Sequence, residues 1–194
     1  HTIRSMQYIR ADKVLRLTML LHDVAKPVCR TEDENGIHHF HGHPQVGAEM
    51  SRKILRRLKF DNDTIHRVMA LVRAHDDRPP LQGRSVRRAI YRNGTEQYPE
   101  LFEVKRADIL AQSSFLQQEK LLYVDRYEHM YQQIMEKEQC LSLKELAVNG
   151  SDLIARGIQP GKEIGEILHQ MLEKVLEEPE LNEKEVLLAW YFKA

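Results

Sequence analysis

The chain lacks a net charge: 29 Lys and Arg balance 29 Asp and Glu. The total therefore points to no acidic or basic partner. Cysteine is scarce. Cys29 and Cys140 stand alone with no CxxC pair, which excludes a disulfide scaffold and makes a reducing compartment, the cytoplasm, the expected location. No apolar run approaches the ~20 residues that span a bilayer, and no signal peptide is visible, so no membrane partner is expected. No internal repeat of roughly 20–50 residues and no low-complexity segment appears.

What is present is an ordinary soluble composition. The 194 residues are 42% hydrophobic and 30% charged, enough for one large domain, or one domain and a small appendage. The first residue is His rather than Met, so the chain is expected to be a piece of a longer protein. Charge is unevenly placed. Residues 52–59 (RKILRRLK) hold five positive charges and no acid, whereas residues 161–185 hold eight acids against three lysines. Solvated helix faces account for both runs as well as binding surfaces do.

Apolar residues recur at helical spacing nearly throughout, and an all-α fold is expected. Residues 12–25 place Val14, Leu17, Leu20, Leu21 and Val24 on one stripe, with the helix stopping at Lys26-Pro27. Residues 28–43 form a polar loop in which Asn35-Gly36 allows a short β-hairpin. Pro44 opens a helix with Val46, Met50, Ile54, Leu55 and Leu58 as its apolar set. Asp61 or Asp63 caps the next, where Ile65, Val68, Leu71 and Val72 lead to His75. A basic helix covers 85–92, and a long helical stretch covers 98–138 with a break expected near Pro99. After 139 the character changes: a short helix capped by Ser151, an amphipathic helix after Gly161, and a last helix over 182–193. The boundary is drawn between residues 1–139 and 140–194.

The chemistry lies in the doublet His22-Asp23 and in His1, His43, His75 and Asp108. Imidazole nitrogens and carboxylate oxygens together suit one or two divalent transition metal ions. Fe, Mn, Co, Ni and Zn all accept such ligands. Two ions ~3.5–4 Å apart would hold a bridging hydroxide and clamp a phosphate for in-line attack, with no serine or cysteine nucleophile. Asp76 or Asp77 would orient a ligand from behind. A lone histidine is more often structural than a ligand, and His38, His39, His66, His129 and His169 are read so.

This pattern resembles the HD-domain superfamily of metal-dependent phosphohydrolases, through His1 in HTIRS, LLHDVAKP, His43 in HGHPQVGAEM, His75 in VRAHDD and Asp108 in RADILAQ. The resemblance implies a five-helix core in which His1, His22, Asp23 and Asp108 bind a primary metal and His43 and His75 a second. HDVAK fits the superfamily's HDxxK variant, which implies that Lys26 contacts substrate phosphate. Catalysis would then rest on His22, Asp23 and Lys26. His1 opens the chain, and a loosely held ligand is expected there.

The resemblance narrows further. LLHDVAKP, HFHGHPQVGAEMSRKILRRLKF with DNDTIHRVMALVRAH, ADILAQ, and the stretch VNGSDLIARGIQPGKEIGEILHQMLEKVLEEPELNEKE are together similar to the HD and carboxyl-terminal regions of bacterial tRNA nucleotidyltransferases, the CCA-adding enzymes and their poly(A) polymerase relatives. That implies phosphohydrolase activity toward phosphomonoesters and 2′,3′-cyclic nucleotides, and a tail (140–194) that contacts tRNA. Arg52, Lys53, Arg56 and Arg57 on one helix, and Arg84, Arg87, Arg88 and Arg92 on another, are the candidate phosphate contacts for RNA. The polymerising head of that family carries a Gly-Ser followed by a DxD pair. Here the only DxD, Asp61-Asn62-Asp63, has no Gly-Ser before it and reads as a helix cap, so the amino-terminal nucleotidyltransferase domain is expected to be missing. Two alternatives stand beside the hydrolase: a catalytically silent scaffold that binds tRNA, and a hydrolase of signalling nucleotides. The HPxxGA around His43 is shared with the cyclic-dinucleotide class of the latter, although its GYP signature is absent.

Overall fold

The structure is a computed structural model that describes residues 1–193, apart from the side chain of Lys193. Ten α-helices, a single two-stranded sheet and one 3₁₀ turn account for its regular elements among the described residues, in keeping with an all-α fold. None of these helices is long and apolar enough to cross a membrane.

Two compact units emerge, His1–Arg78 with Asn93–Arg126, and Pro79–Arg92 with Tyr127–Ala194. The first holds α1 (Thr2–Ser5), α2 (Lys13–Leu21), the hairpin β1 (Thr31–Glu32) and β2 (His38–His39), α3 (His43–Arg57), α4 (Asn62–Ala74) and α6 (Tyr98–Ala111). α4 is its centre, packing against α2, α3 and α6. Asp61 caps α4, its carboxylate accepting from the Thr64 amide at 2.8 Å. The expected face is the one buried: Ile65, Val68, Leu71 and Val72. The hairpin also forms, antiparallel with Thr31 opposite His39 and Glu32 opposite His38.

The neighbours of α4 depart from the simple stripe. On α2 the buried set is Val14, Leu15, Thr18, Met19 and Leu21, while Leu20 is exposed. The helix ends at Leu21, and a run of turns carries the chain from His22 past Pro27. α3 buries His43, Gly47, Ala48, Ser51 and Leu55, whereas Val46 and Leu58 face solvent. Small residues win here because α3 lies close: a Cβ on Gly47 would meet Val72 Cγ1 at 3.4 Å and the His22 carbonyl at 3.7 Å. The face spaced 43, 47, 51 is the one that puts His43 beside α4. Gly42 just before it takes φ 75°, a left-handed turn that glycine adopts without strain.

α5 (Gly83–Asn93) and α7 (Gln117–Glu136) each contribute residues to both units. α6 and α7 replace the single long stretch. The break falls at 112–116 rather than near Pro99, because proline fits the first turn of α6. The second unit contains α8 (Gly150–Ala155), α9 (Lys162–Glu177), a 3₁₀ turn (Pro179–Leu181) and α10 (Lys184–Lys193). Its interior is apolar: Val86, Ile90, Leu153, Ile167, Met171, Leu172 and Val175 are all buried. Asn149, not Ser151, caps α8, in a reciprocal box with Asp152. Asn149 has the extended backbone a cap requires, which leaves Ser151 inside the helix.

Candidate metal centre

The turn after α2 carries His22 and Asp23 into the interior of the first unit. Around them gather four residues distant in sequence: His1, which opens α1, His43 at the start of α3, His75 at the end of α4, and Asp108 in the last turn of α6. The gathering has two parts. In one, His1 Nε2 lies 3.2 Å from His22 Nε2 and 2.8 Å from Asp108 Oδ1. His22 Nε2 lies 3.4 Å from Asp23 Oδ2 and 3.3 Å from Asp108 Oδ1. In the other, His43 Nε2 lies 3.3 Å from His75 Nε2, and these sit 3.5 Å and 3.8 Å from Asp23 Oδ1. His1, His22 and Asp23 in the first part, and Asp23, His43 and His75 in the second, bring their ligand atoms close enough together to hold one metal ion each.

The backbone aims these rings. His22 Nδ1 donates to the Met19 carbonyl at 2.7 Å, His43 Nδ1 to Phe40 at 2.9 Å, and His75 Nδ1 to Val72 at 2.7 Å. A carbonyl only accepts, so each Nδ1 carries a proton and each ring turns its Nε2 inward, as a lone pair wherever the ring is neutral. His43 and His75 thus point lone pairs at one another across 3.3 Å. Asp23 Oδ1 beside them is buried and accepts no hydrogen bond. Two lone pairs and a buried carboxylate oxygen converging without a donor are costly unless a cation lies among them. The donor set, two imidazoles and a carboxylate, fits a divalent transition metal.

The two parts differ in proton affinity. Burial opposes charging His22, but its hydrogen bonds to Asp108 and Asp23 outweigh this and lift the ring to about 9. Burial pushes His75 the other way, to about 4. Asp23 feels burial as well, yet the hydrogen bonds and charges of His22 and Lys26 hold it well below the usual carboxylate range. His22 is thus the readier of the two rings to take a second proton, and His75 the readier to stay neutral.

Several surrounding residues escaped the sequence reading. Buried Lys105 donates to the carbonyls of Ala74, His75 and Asp77, with Nζ 2.8 Å from the His75 oxygen. It holds the turn from which His75 projects, and burial lowers it to about 8. Gln112 donates to Asp108 Oδ2 at 2.8 Å and accepts from Lys120. His38, His39 and His41, with Lys26 and Asp23, line a polar cavity of about 400 Å³. No pattern in the sequence singles out Lys105, since a lysine in a helix reads as exposed. Lys26 donates to Asp23 Oδ2 at 2.7 Å and is 38% exposed at its side chain.

The basic residues separate into groups. Lys53, Arg56 and Arg57 are solvent-facing or partly so on α3, without an acidic partner among the described residues. Arg52 pairs with Glu49, Arg84 with Glu177 and Arg88 with Glu173. Arg87 is only 8% exposed and donates to the Leu176 and Glu177 carbonyls. Arg92, near the end of α5, also has an interaction partner.

The family model for tRNA nucleotidyltransferase domain 2 matches residues 31–191. The chain belongs to this family. The matched span begins after the His22-Asp23 doublet, so membership rests on residues 31–191. Among curated relatives, the chain is similar to a CC-adding tRNA nucleotidyltransferase of Thermus thermophilus, 35% identical over 159 residues, which is 81% of this chain and 35% of that protein. It is also similar to an A-adding tRNA nucleotidyltransferase of Deinococcus radiodurans, 33% identical over 167 residues, 84% of this chain and 38% of that protein. The chain thus spans little more than a third of the length of these relatives.

Proposed function

We propose that this chain is a piece of a tRNA nucleotidyltransferase-like protein whose portion 1–139 is an HD-type domain that binds one or two divalent transition metal ions and hydrolyses phosphoesters. The observation that carries the reading is Asp23. One of its oxygens faces His1 and His22 and accepts from Lys26, and the other, buried and without a hydrogen bond, faces His43 and His75. Such an arrangement lets one carboxylate serve two ions. Ions held there would supply a nucleophile at neutral pH and Lewis acidity toward a phosphate oxygen.

The chain's own residues divide the remaining work. His1, His22 and Asp108 with Asp23 Oδ2 would hold the first ion, and His43 and His75 with Oδ1 the second. The carbonyls of Met19, Phe40 and Val72 fix the rings so that little reorganisation accompanies loading. Lys26 is the compact cation nearest the carboxylates and would neutralise phosphate charge. His22 and Asp23 are ligands rather than proton carriers in this scheme.

The relatives act on tRNA, and tRNA is the macromolecular partner proposed here. The tail 140–194 and the unpaired Lys53, Arg56 and Arg57 would meet its phosphates, with affinity falling as salt rises. Nucleotide addition is assigned to a part of the protein outside these residues. A second reading, a silent scaffold that only binds tRNA, is favoured by that same unpaired basic face.

Elemental analysis of the wild type and His22→Ala, with turnover of phosphomonoesters and 2′,3′-cyclic nucleotides in Mn, Co or Ni, tests the reading. About one to two equivalents of metal, reduced in the variant, with metal-dependent hydrolysis, is the expected result. No metal in either protein after loading overturns it and leaves the tRNA scaffold.

A further inference from the structure

A second cavity, of about 300 Å³, shares His75, Arg78 and Asp108 with the polar one. Its character is different. Ile109, Leu116, Tyr123 and Val124 line it, with the charges of Lys120 and Glu119 beside them. The ligand-bearing residues thus stand where a polar and an apolar cavity meet. A volume near 300 Å³ lies at the small end for ligand sites, room for one ring system rather than for an oligonucleotide.

Leu116 gives an independent sign. It takes φ 53° and leaves its side chain 45% exposed. The other positive-φ residues with side chains, Lys59 and Glu138, follow the ends of α3 and α7, where left-handed backbone is common. Leu116 instead directly precedes α7. A β-carbon residue held in strained backbone with an apolar side chain in solvent is a cost that a binding role explains. Lys120 is tied to the neighbouring centre, through Gln112 to Asp108 Oδ2.

We propose that this apolar cavity receives the alcohol portion of a phosphoester, a flat ring system or single nucleoside, while the phosphate lies at the residues the two cavities share. The inference rests on the hydrolytic reading above. Hydrolysis forms a bond from water oxygen to phosphorus and breaks the bond from phosphorus to the alcohol oxygen, which leaves with one of the water protons. Leu116 and Tyr123 select the leaving alcohol, and arginine and lysine at the mouth attract its phosphate.

The test compares phenyl phosphate with glycerol phosphate on the metal-loaded chain and on a Leu116→Ala/Tyr123→Ala variant. Adenosine binding, followed by ligand-observed NMR, gives a readout free of phosphate and turnover. Wild type is expected to favour phenyl phosphate in kcat/KM by about tenfold or more. The variant should lose most of that preference and fail to bind adenosine. Equal loss on both esters, or no adenosine binding to wild type, overturns the subsite while leaving the hydrolytic reading intact. Adenosine binding that the variant abolishes, with no ester turned over, sinks hydrolysis and keeps the ring-binding subsite.

Discussion

In the first unit the buried ammonium of Lys105 donates to three carbonyls where α4 ends, and in the second the buried guanidinium of Arg87 donates to two carbonyls where α9 ends. Both cations satisfy orphan carbonyls at the negative end of a helix. In the second unit the helix end carries surface ion pairs and no histidine or aspartate of the candidate centre. In the first, the same turn carries His75. The contrast extends to the interiors. Ser5, Thr18, His22, His43, Ser51, Thr64, His75 and Lys105 are buried in the first unit, whereas Arg87 is the one buried polar or charged residue of the second among those described. Buried polarity is expensive. One unit keeps polar side chains in its interior beside the apolar ones, and the other packs an almost wholly apolar interior.

Asp23→Asn should produce the largest effect and break the comparison most directly. Both parts of the centre share this carboxylate, so metal affinity is expected to fall more than ~100-fold. Elemental analysis after loading would read this, and melting with and without Mn would show the wild-type gain on binding disappear. Unchanged metal content in the variant would show that Asp23 is not needed to hold metal. Leu172→Ala in the second unit is the counterpart. A fully buried leucine lost from an apolar interior costs about 2–5 kcal/mol. Denaturant unfolding should register that loss while metal content stays at the wild-type level.

The paired cations sharpen the contrast at smaller cost. Lys105→Met and Arg87→Met should each lower stability by about 2 kcal/mol, since each leaves carbonyls unmatched at a helix end. They should part company on metal. Lys105→Met loosens the turn bearing His75 and is expected to lose the equivalent held by His43 and His75, whereas Arg87→Met keeps its full content. Equal metal content in both variants would reduce Lys105 to the plain structural role of Arg87.

The same contrast governs what was legible in the sequence. The ligand candidates showed because histidine and aspartate announce themselves by type, and α4 because Ile65, Val68, Leu71 and Val72 combine helical spacing with large apolar side chains. Helix α3 misled because its inner face is Gly47, Ala48 and Ser51, residues with no hydrophobic signal, chosen for a close approach to Val72. The end of α2 was placed five residues late because Pro27 gave a strong stop signal, while the turn at His22 gave none. Lys105 gives no signal, and Arg87 reads as an exposed phosphate contact although it is buried on two carbonyls, because cations on helices are usually exposed. The pairing of Asp23 oxygens with separate imidazole groups is a matter of three-dimensional aim that spacing does not encode.

The smallest effect is kinetic and uses the two thiols as reporters, one in each unit. Cys29, partly exposed, follows the turn that carries His22 and Asp23. Cys140 is buried, and burial pushes its thiol up, so the reactive thiolate is rare as well as covered. A thiol reagent should therefore modify Cys29 first in the native protein and Cys140 only as the second unit opens. Leu172→Ala should accelerate Cys140 without changing Cys29, because it weakens the apolar interior that covers Cys140. Asp23→Asn should leave the Cys140 rate where it was, since the residues of the centre all belong to the first unit. Acceleration of Cys140 by Asp23→Asn would show that the two units unfold together, and the division between a costly polar interior and an apolar one would then describe composition without describing stability.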